Sequence, residues 1–193
     1  MRRFVIAAAA LVGLSSLLTA GAVNAGPVRD MYGSGAFGLP WSAGKSAIQA
    51  KFPGGKWDTD DKGHDRYCVP STQTLMKLPP PHQSKELCFL IGQDGTLAAA
   101  TAVLNPTLPS LLAVVNRCRT NFGDFDAMLR EEGAIQSSFN AQLWTKDSPY
   151  IVVVRSENDS DGAPVRVTFT VADEANLYTP GSKKVDNRPV EKK

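Results

Sequence analysis

The sequence predicts an α+β fold: an antiparallel sheet with helices packed on one of its faces. Three observations lead there. Leu108 to Phe122 carries apolar residues at helical spacing. Segments before and after it alternate apolar and polar side chains with a period of two, as half-buried strands do. Gln93-Asp94-Gly95 is a good hairpin turn, and Lys146-Asp147-Ser148-Pro149 and Asn158-Asp159-Ser160-Asp161-Gly162 connect later strands as turns. A helix precedes a group of strands twice, so the order also suggests a tandem repeat, with lobes over 39–104 and 105–172.

The chain has 193 residues, 21 of them Lys or Arg and 19 Asp or Glu. It opens with Met1-Arg2-Arg3, an apolar run from Phe4 to Leu18, and small residues ending at Ala25. That three-part layout is the pattern of a secretory signal peptide over residues 1–25. The run is short of the roughly 20 residues of a spanning helix, and no later run reaches that length. Periplasmic or secreted localisation is therefore expected, with no membrane anchor after cleavage. Cleavage after Ala25 removes two arginines and no acid, and leaves 19 basic against 19 acidic side chains. A neutral chain argues against nucleic acid as a partner, because such binders need excess Lys and Arg.

Residues 26–38 are glycine-rich and read as a lead-in linker. Leu39-Pro40-Trp41-Ser42 then opens a short helix with Ser42 as N-cap, Ile48 and Phe52 on one face, and Pro53-Gly54-Gly55 as its stop. Lys56 to Gly63 reads as a polar loop. His64–Val69 and Thr72–Leu78 are candidate strands, and Pro79-Pro80-Pro81 forces an extended stretch. Glu86–Gly92 and Thr96–Leu104 are stronger strands around the Gln93-Asp94-Gly95 turn. The second is small and apolar on both faces, as a central strand would be.

Asn105-Pro106-Thr107 enters the long helix, whose predicted stripe is Leu108, Leu111, Leu112, Val115, Cys118 and Phe122. Gly123 fits its end. Asp124 is expected to cap a second short helix through Phe125, Met128 and Leu129, closed by Gly133, making an αα-hairpin. Three strands follow, over Phe139–Trp144, Tyr150–Arg155 and Val165–Val171. From Asp173 onward the chain is polar, and 173–193 reads as a disordered tail.

Reactive chemistry is sparse. Two histidines, His64 and His82, are too few for a histidine-rich zinc site, and no metal site is expected. Asp58 to Asp65 resembles a calcium loop, but Lys62 and Val69 stand where oxygen ligands belong; Glu157 to Gly162 is also incomplete. No P-loop, H-E-x-x-H or G-x-G-x-x-G occurs, and Gly33-Ser34-Gly35 is misplaced for a nucleophile elbow. No catalytic residues and no cofactor are expected. Of three cysteines, Cys118 on the helix stripe reads as a buried thiol. Cys68 and Cys88 flank the triple proline, and the favoured disulfide between them would contribute about 3 kcal/mol by closing a loop of roughly 20 residues. A pairing with Cys118, or no disulfide, stays open.

Binding remains the leading class. If Phe139, Ala141 and Leu143 face the helices, then Gln142 and Trp144 face outward, together with Arg166, Thr168 and Thr170. An uncovered sheet face with Trp144, Gln142, Arg166 and Thr168 has the composition of an interface. The other reading is a hydrolase of cell-wall or extracellular material, working through carboxylates that sequence does not pair. A sugar-binding platform would have to draw on Trp57, Tyr67, Trp144 and Tyr150.

The phrase Phe37-Gly38-Leu39-Pro40-Trp41-Ser42, followed by a short helix with Ile48 and Phe52, resembles the opening of small bacterial envelope proteins. The plan of helices then strands from Leu108 to Val171 is similar to β-lactamase-inhibitor-like and SmpA-like modules. The resemblance implies a periplasmic, protein-binding, non-catalytic role. Within that class the sequence leaves inhibition, immunity and envelope assembly, by occluding or scaffolding a protein partner.

Overall fold

The computed structural model of the protein describes residues 26–60, 63–130, 138–147 and 149–177. The predicted signal peptide, Glu131 to Gly133, and 178–193 of the predicted tail lie outside these. The class is α+β, as the sequence predicts: the described residues form four helices, a two-stranded ladder and one eight-stranded antiparallel sheet.

The predicted linker is instead structured. Pro27–Tyr32 is helix α1, and Gly35–Ala36 (β1) pairs with Leu39–Pro40 (β2). Gly26 offers α1 no capping side chain. Asp147, far away in sequence, supplies it by accepting from the backbone N–H of Val28 at 2.7 Å and Arg29 at 3.3 Å. The tight turn of the β1–β2 ladder puts Phe37 at φ 51° and Gly38 at φ 72°. The next helix, α2, spans Lys45–Lys51, with Gly44 rather than Ser42 at its N-cap. Leu39-Pro40 is spent in the ladder, which pushes the helix start along the chain.

Four strands follow α2: β3 (Lys56–Thr59), β4 (Asp65–Pro70), β5 (Glu86–Ile91) and β6 (Leu97–Leu104). Residues Lys56–Thr59, predicted as loop, pair with β4 along the sheet edge. Thr72–Leu78, predicted as strand, makes no ladder; Leu75 and Leu78 are buried from an irregular loop. Helix α3 then runs Leu108–Phe122 as predicted, with Thr107 Oγ1 accepting from the Ser110 N–H and Gly123 at φ 81° closing it. Its buried face is Ser110, Val114, Val115, Cys118 and Phe122. Leu108 and Leu112 are instead 55% and 50% exposed. At about 100° per residue they fall beyond the edge of a stripe centred on Cys118.

The second half repeats the plan with four more strands: β7 (Ala127–Arg130), β8 (Phe139–Trp144), β9 (Tyr150–Asn158) and β10 (Pro164–Asp173). The predicted αα-hairpin is therefore absent. Ala127–Arg130 pairs with β8 instead of coiling, and Asp124 caps no helix but pairs with Arg119 at 2.6 Å. The predicted tail also starts too early, since Asp173 ends β10 and Glu174–Leu177 forms the short α4. The Asp173 carboxylate accepts from the Ala175 N–H at 3.1 Å.

Strand order in the sheet is β3-β4-β5-β6-β10-β9-β8-β7. Each half is thus a helix followed by a four-stranded meander. The halves join through their last strands, β6 and β10, paired antiparallel over six residue pairs. The small residues of β6 sit in the middle of the sheet, as expected.

One face of the sheet holds the core. Phe52 stacks on Phe89 at 4.8 Å and Phe37 meets the same ring edge-on. Tyr32 from α1 lies between Phe122 and Phe169. Trp41 stacks on Tyr150, and its indole donates to the Tyr32 carbonyl. Through these contacts α1, α2 and α3 all sit on the same side. Burial of this apolar surface is the main favourable term in folding.

Candidate functional site

The register of the sheet decides which side chains share its second face. Because successive residues alternate faces, the strand pairings define rows across it. One row runs Lys56, Cys68, Cys88, Thr101, Thr170, Val153, Leu143, Ala127 from edge to edge. The next runs Pro70, Glu86, Val103, Thr168, Arg155, Ala141, Leu129. Beyond it Arg166, Glu157 and Phe139 lie side by side. Most of these residues are partly exposed, and Arg155 and Arg166 are open to solvent.

The centre of this open face is β-branched and apolar, with Thr101 and Thr170 joined hydroxyl to hydroxyl at 2.9 Å. Arg155 marks its cationic corner. Its guanidinium lies over the Phe139 ring at 5.0 Å and reaches Glu157 at 3.5 Å. Stacking an arginine on an aromatic ring stiffens both groups.

The structure brings together two of the four predicted interface residues. Arg166 and Thr168 lie on the open face; Gln142 and Trp144 do not. Trp144 is 2% exposed, packed edge-on against Phe122 and Phe125, and its indole donates to the Gly123 carbonyl at 2.9 Å. Gln142 shares that core face, and its Oε1 has no hydrogen-bond partner among the described residues. The bounds of β8 are as predicted, but its two faces are exchanged. Phe139, Ala141 and Leu143 take the outward positions. A signal for this was present: Arg155 has the same parity as Ile151 and Val153. A charge at that position marks the solvent side, and the β8–β9 hairpin carries it to Leu143.

The predicted disulfide is present. Cys68 and Cys88 are direct partners across β4 and β5, with Cα atoms 4.1 Å apart. Cys118 is free and buried. Burial pushes its thiol up to about 12 and also raises the Tyr32 hydroxyl. A thiol held protonated in this way is a poor nucleophile.

The acidic segments are engaged by the protein itself. Arg66 grips Asp58 with two hydrogen bonds and holds its carboxyl below the usual range. Asp60 accepts from the His64 N–H, and Lys45 pairs with Asp65. Asp159 accepts from the N–H groups of Asp161 and Ala163. Asp94 and Asp173 are shifted apart. Hydrogen bonds from Thr96 lower the first, while burial, with Asp94 nearby, raises the second. Each is committed to a local cap rather than aimed at a cavity. A groove of about 660 Å³ is lined by Pro70, Ser71, Thr72, Pro80, Pro81, Gln83, Ser84, Lys85 and Asn105, with no carboxylate among them. Tyr67 and Trp144 are buried, so neither can join a flat aromatic platform for sugar.

Among the described residues no helix is long and apolar enough to cross a membrane. Comparison with protein-family models, curated proteins and solved structures returned no match to this chain.

Proposed function

We propose that this chain is exported to the periplasm or beyond and acts without catalysis, holding a protein partner against the open face of its sheet. The observation that carries the reading is the sidedness of the sheet. Three helices and nearly all the large aromatic side chains pack on one face. The other offers a partly exposed apolar centre with arginines at one corner. A face of that make-up, aromatic and Arg anchors beside aliphatic rows, suits a protein interface. The disulfide is compatible with an oxidising compartment. The resemblance of Phe37 to Phe52 to small envelope proteins is consistent with a periplasmic protein-binding role, of which inhibition, immunity and assembly are instances.

The occupant is a protein presenting an apolar patch bordered by carboxylates. At the Phe139 corner Arg155 and Arg166 outnumber Glu157, so an acidic rim on the partner would complement the charge. Mature protein immobilised as bait for envelope extract tests this with two variants. Val153→Asp places a charge in the centre of the open face. Leu112→Asp places one at an exposed position on α3, on the other side. Capture by wild type and Leu112→Asp but not by Val153→Asp supports the reading. Equal capture by all three refutes it. So does a chain that pairs with itself and becomes monomeric in Val153→Asp, since the occupant is then a second copy.

A further inference from the structure

One corner of the open face carries donor atoms of a second kind. Cys68 on β4 faces Cys88 on β5, and Glu86 lies two residues before Cys88 on the same face. The two sulfurs and a Glu86 carboxylate oxygen all lie within 4.8 Å of one another, and all three residues are half-buried. Among the described residues the Glu86 carboxylate makes no hydrogen bond or ion pair, unlike Asp58 on β3, Asp65 on β4 and Asp60 just past β3; Arg66 on β4 feels its charge only through space.

We infer that reduction of the Cys68–Cys88 disulfide converts this corner into a site for one borderline or soft divalent cation of the Zn(II) class. The two thiolates and the Glu86 carboxylate supply three ligands. Thiolates select such ions over Mg(II) and Ca(II). Tetrahedral Zn(II), with bonds of about 2.0–2.3 Å, spaces its ligand atoms roughly 3.3–3.8 Å apart, and the three donor atoms here lie within 4.8 Å of one another. The strands fix their backbones at adjacent ladder positions, so the ligands do not have to be gathered from a loop. The fourth position faces solvent and is left to water or to a donor from outside.

The chemistry balances with a dithiol as reductant. The dithiol gives two electrons and two protons to the Cys68–Cys88 bond and closes to its own disulfide. The two thiols then release two protons as the cation binds. The oxidised pair cannot ligate as thiolates, so disulfide and cation exclude each other. This inference is independent of the partner-docking reading, because it concerns the chain alone.

Cd(II) is the probe, since its thiolate complexes absorb in the ultraviolet. The full mature chain is compared oxidised, and after reduction by a phosphine that is then removed without air. The reduced wild type is expected to take up one Cd(II) per chain with the thiolate band, and Cys118→Ser to do the same. The oxidised protein is expected to show no band. Glu86→Gln keeps both cysteines and forms the disulfide, and its reduced form should bind at least about tenfold more weakly, the scale set by loss of a supporting contact. Absence of stoichiometric binding overturns the inference. Equal affinity in Glu86→Gln, or a requirement for Cys118, also overturns it. Far-ultraviolet circular dichroism before and after reduction completes the test: loss of the sheet signal means that the strands do not present the ligands.

Discussion

Trp144 illustrates how one side chain decides a face. Its indole fills the space between Phe122, Phe125 and the end of β8, and its N–H satisfies the Gly123 carbonyl just past α3. Trp144→Ala should therefore destabilise the protein by about 3–5 kcal/mol, the usual cost of deleting a large buried aromatic. Urea unfolding measures it; a change under 1 kcal/mol would place the indole at the surface. Asp94 tests electrostatics at the same scale. Thr96 donates to its carboxylate from both backbone and hydroxyl, which lowers its pKa from the ordinary 3.8. An acid lowered on folding contributes stability above its unfolded pKa and loses it as pH falls through the folded one. Asp94→Asn should thus lower the melting temperature at pH 7, and the gap should close as the pH falls below about 3.8. A gap independent of pH would remove the charge from the explanation.

Individual elements were legible where periodicity and punctuation agreed. The bounds of α3 follow from Thr107, the spacing of Val115, Cys118 and Phe122, and Gly123. Strands β5 and β6 follow from alternation around the Gln93-Asp94-Gly95 turn. Where the pattern misled, tertiary pairing had overridden local signals. Phe125, Met128 and Leu129 have helical spacing, but Ala127–Arg130 gains a ladder with β8. The faces of β8 were exchanged because its alternation sets apolar Phe139, Ala141 and Leu143 against Asn140, Gln142 and Trp144, whereas burial of the Trp144 indole turns the second set to the core. Helix α1 was invisible because its cap is Asp147, over a hundred residues away, and six residues are too few to hold a helix unaided. Asp147→Ala should cost about 1 kcal/mol, as loss of an N-cap does, and hydrogen exchange should quicken at Val28 and Arg29 in particular. Unchanged exchange there would show that α1 stands on packing alone.

At the scale of the whole molecule, the doubled plan of helix and four strands produces an eight-stranded sheet with two unlike faces. The doubling was suggested by element order; the joining of the two meanders through β6 and β10 was not, because pairing between distant strands leaves no mark in local sequence. The candidate site shares that character. Arg166 and Thr168 were legible from alternation within β10, whereas Phe139, Leu143 and Val153 become neighbours only once register is known. Two surfaces expose apolar side chains: the rows of the open face, which the proposed docking uses, and Leu108 with Leu112 on α3. The most direct measurement of the proposed docking is carbene footprinting of residues 26–193, alone and after incubation with envelope extract. Protection of Phe139, Leu143 and Val153, with Leu108 and Leu112 labelled as before, is the predicted result. Protection of Leu108 and Leu112 with the sheet side chains unchanged would contradict it.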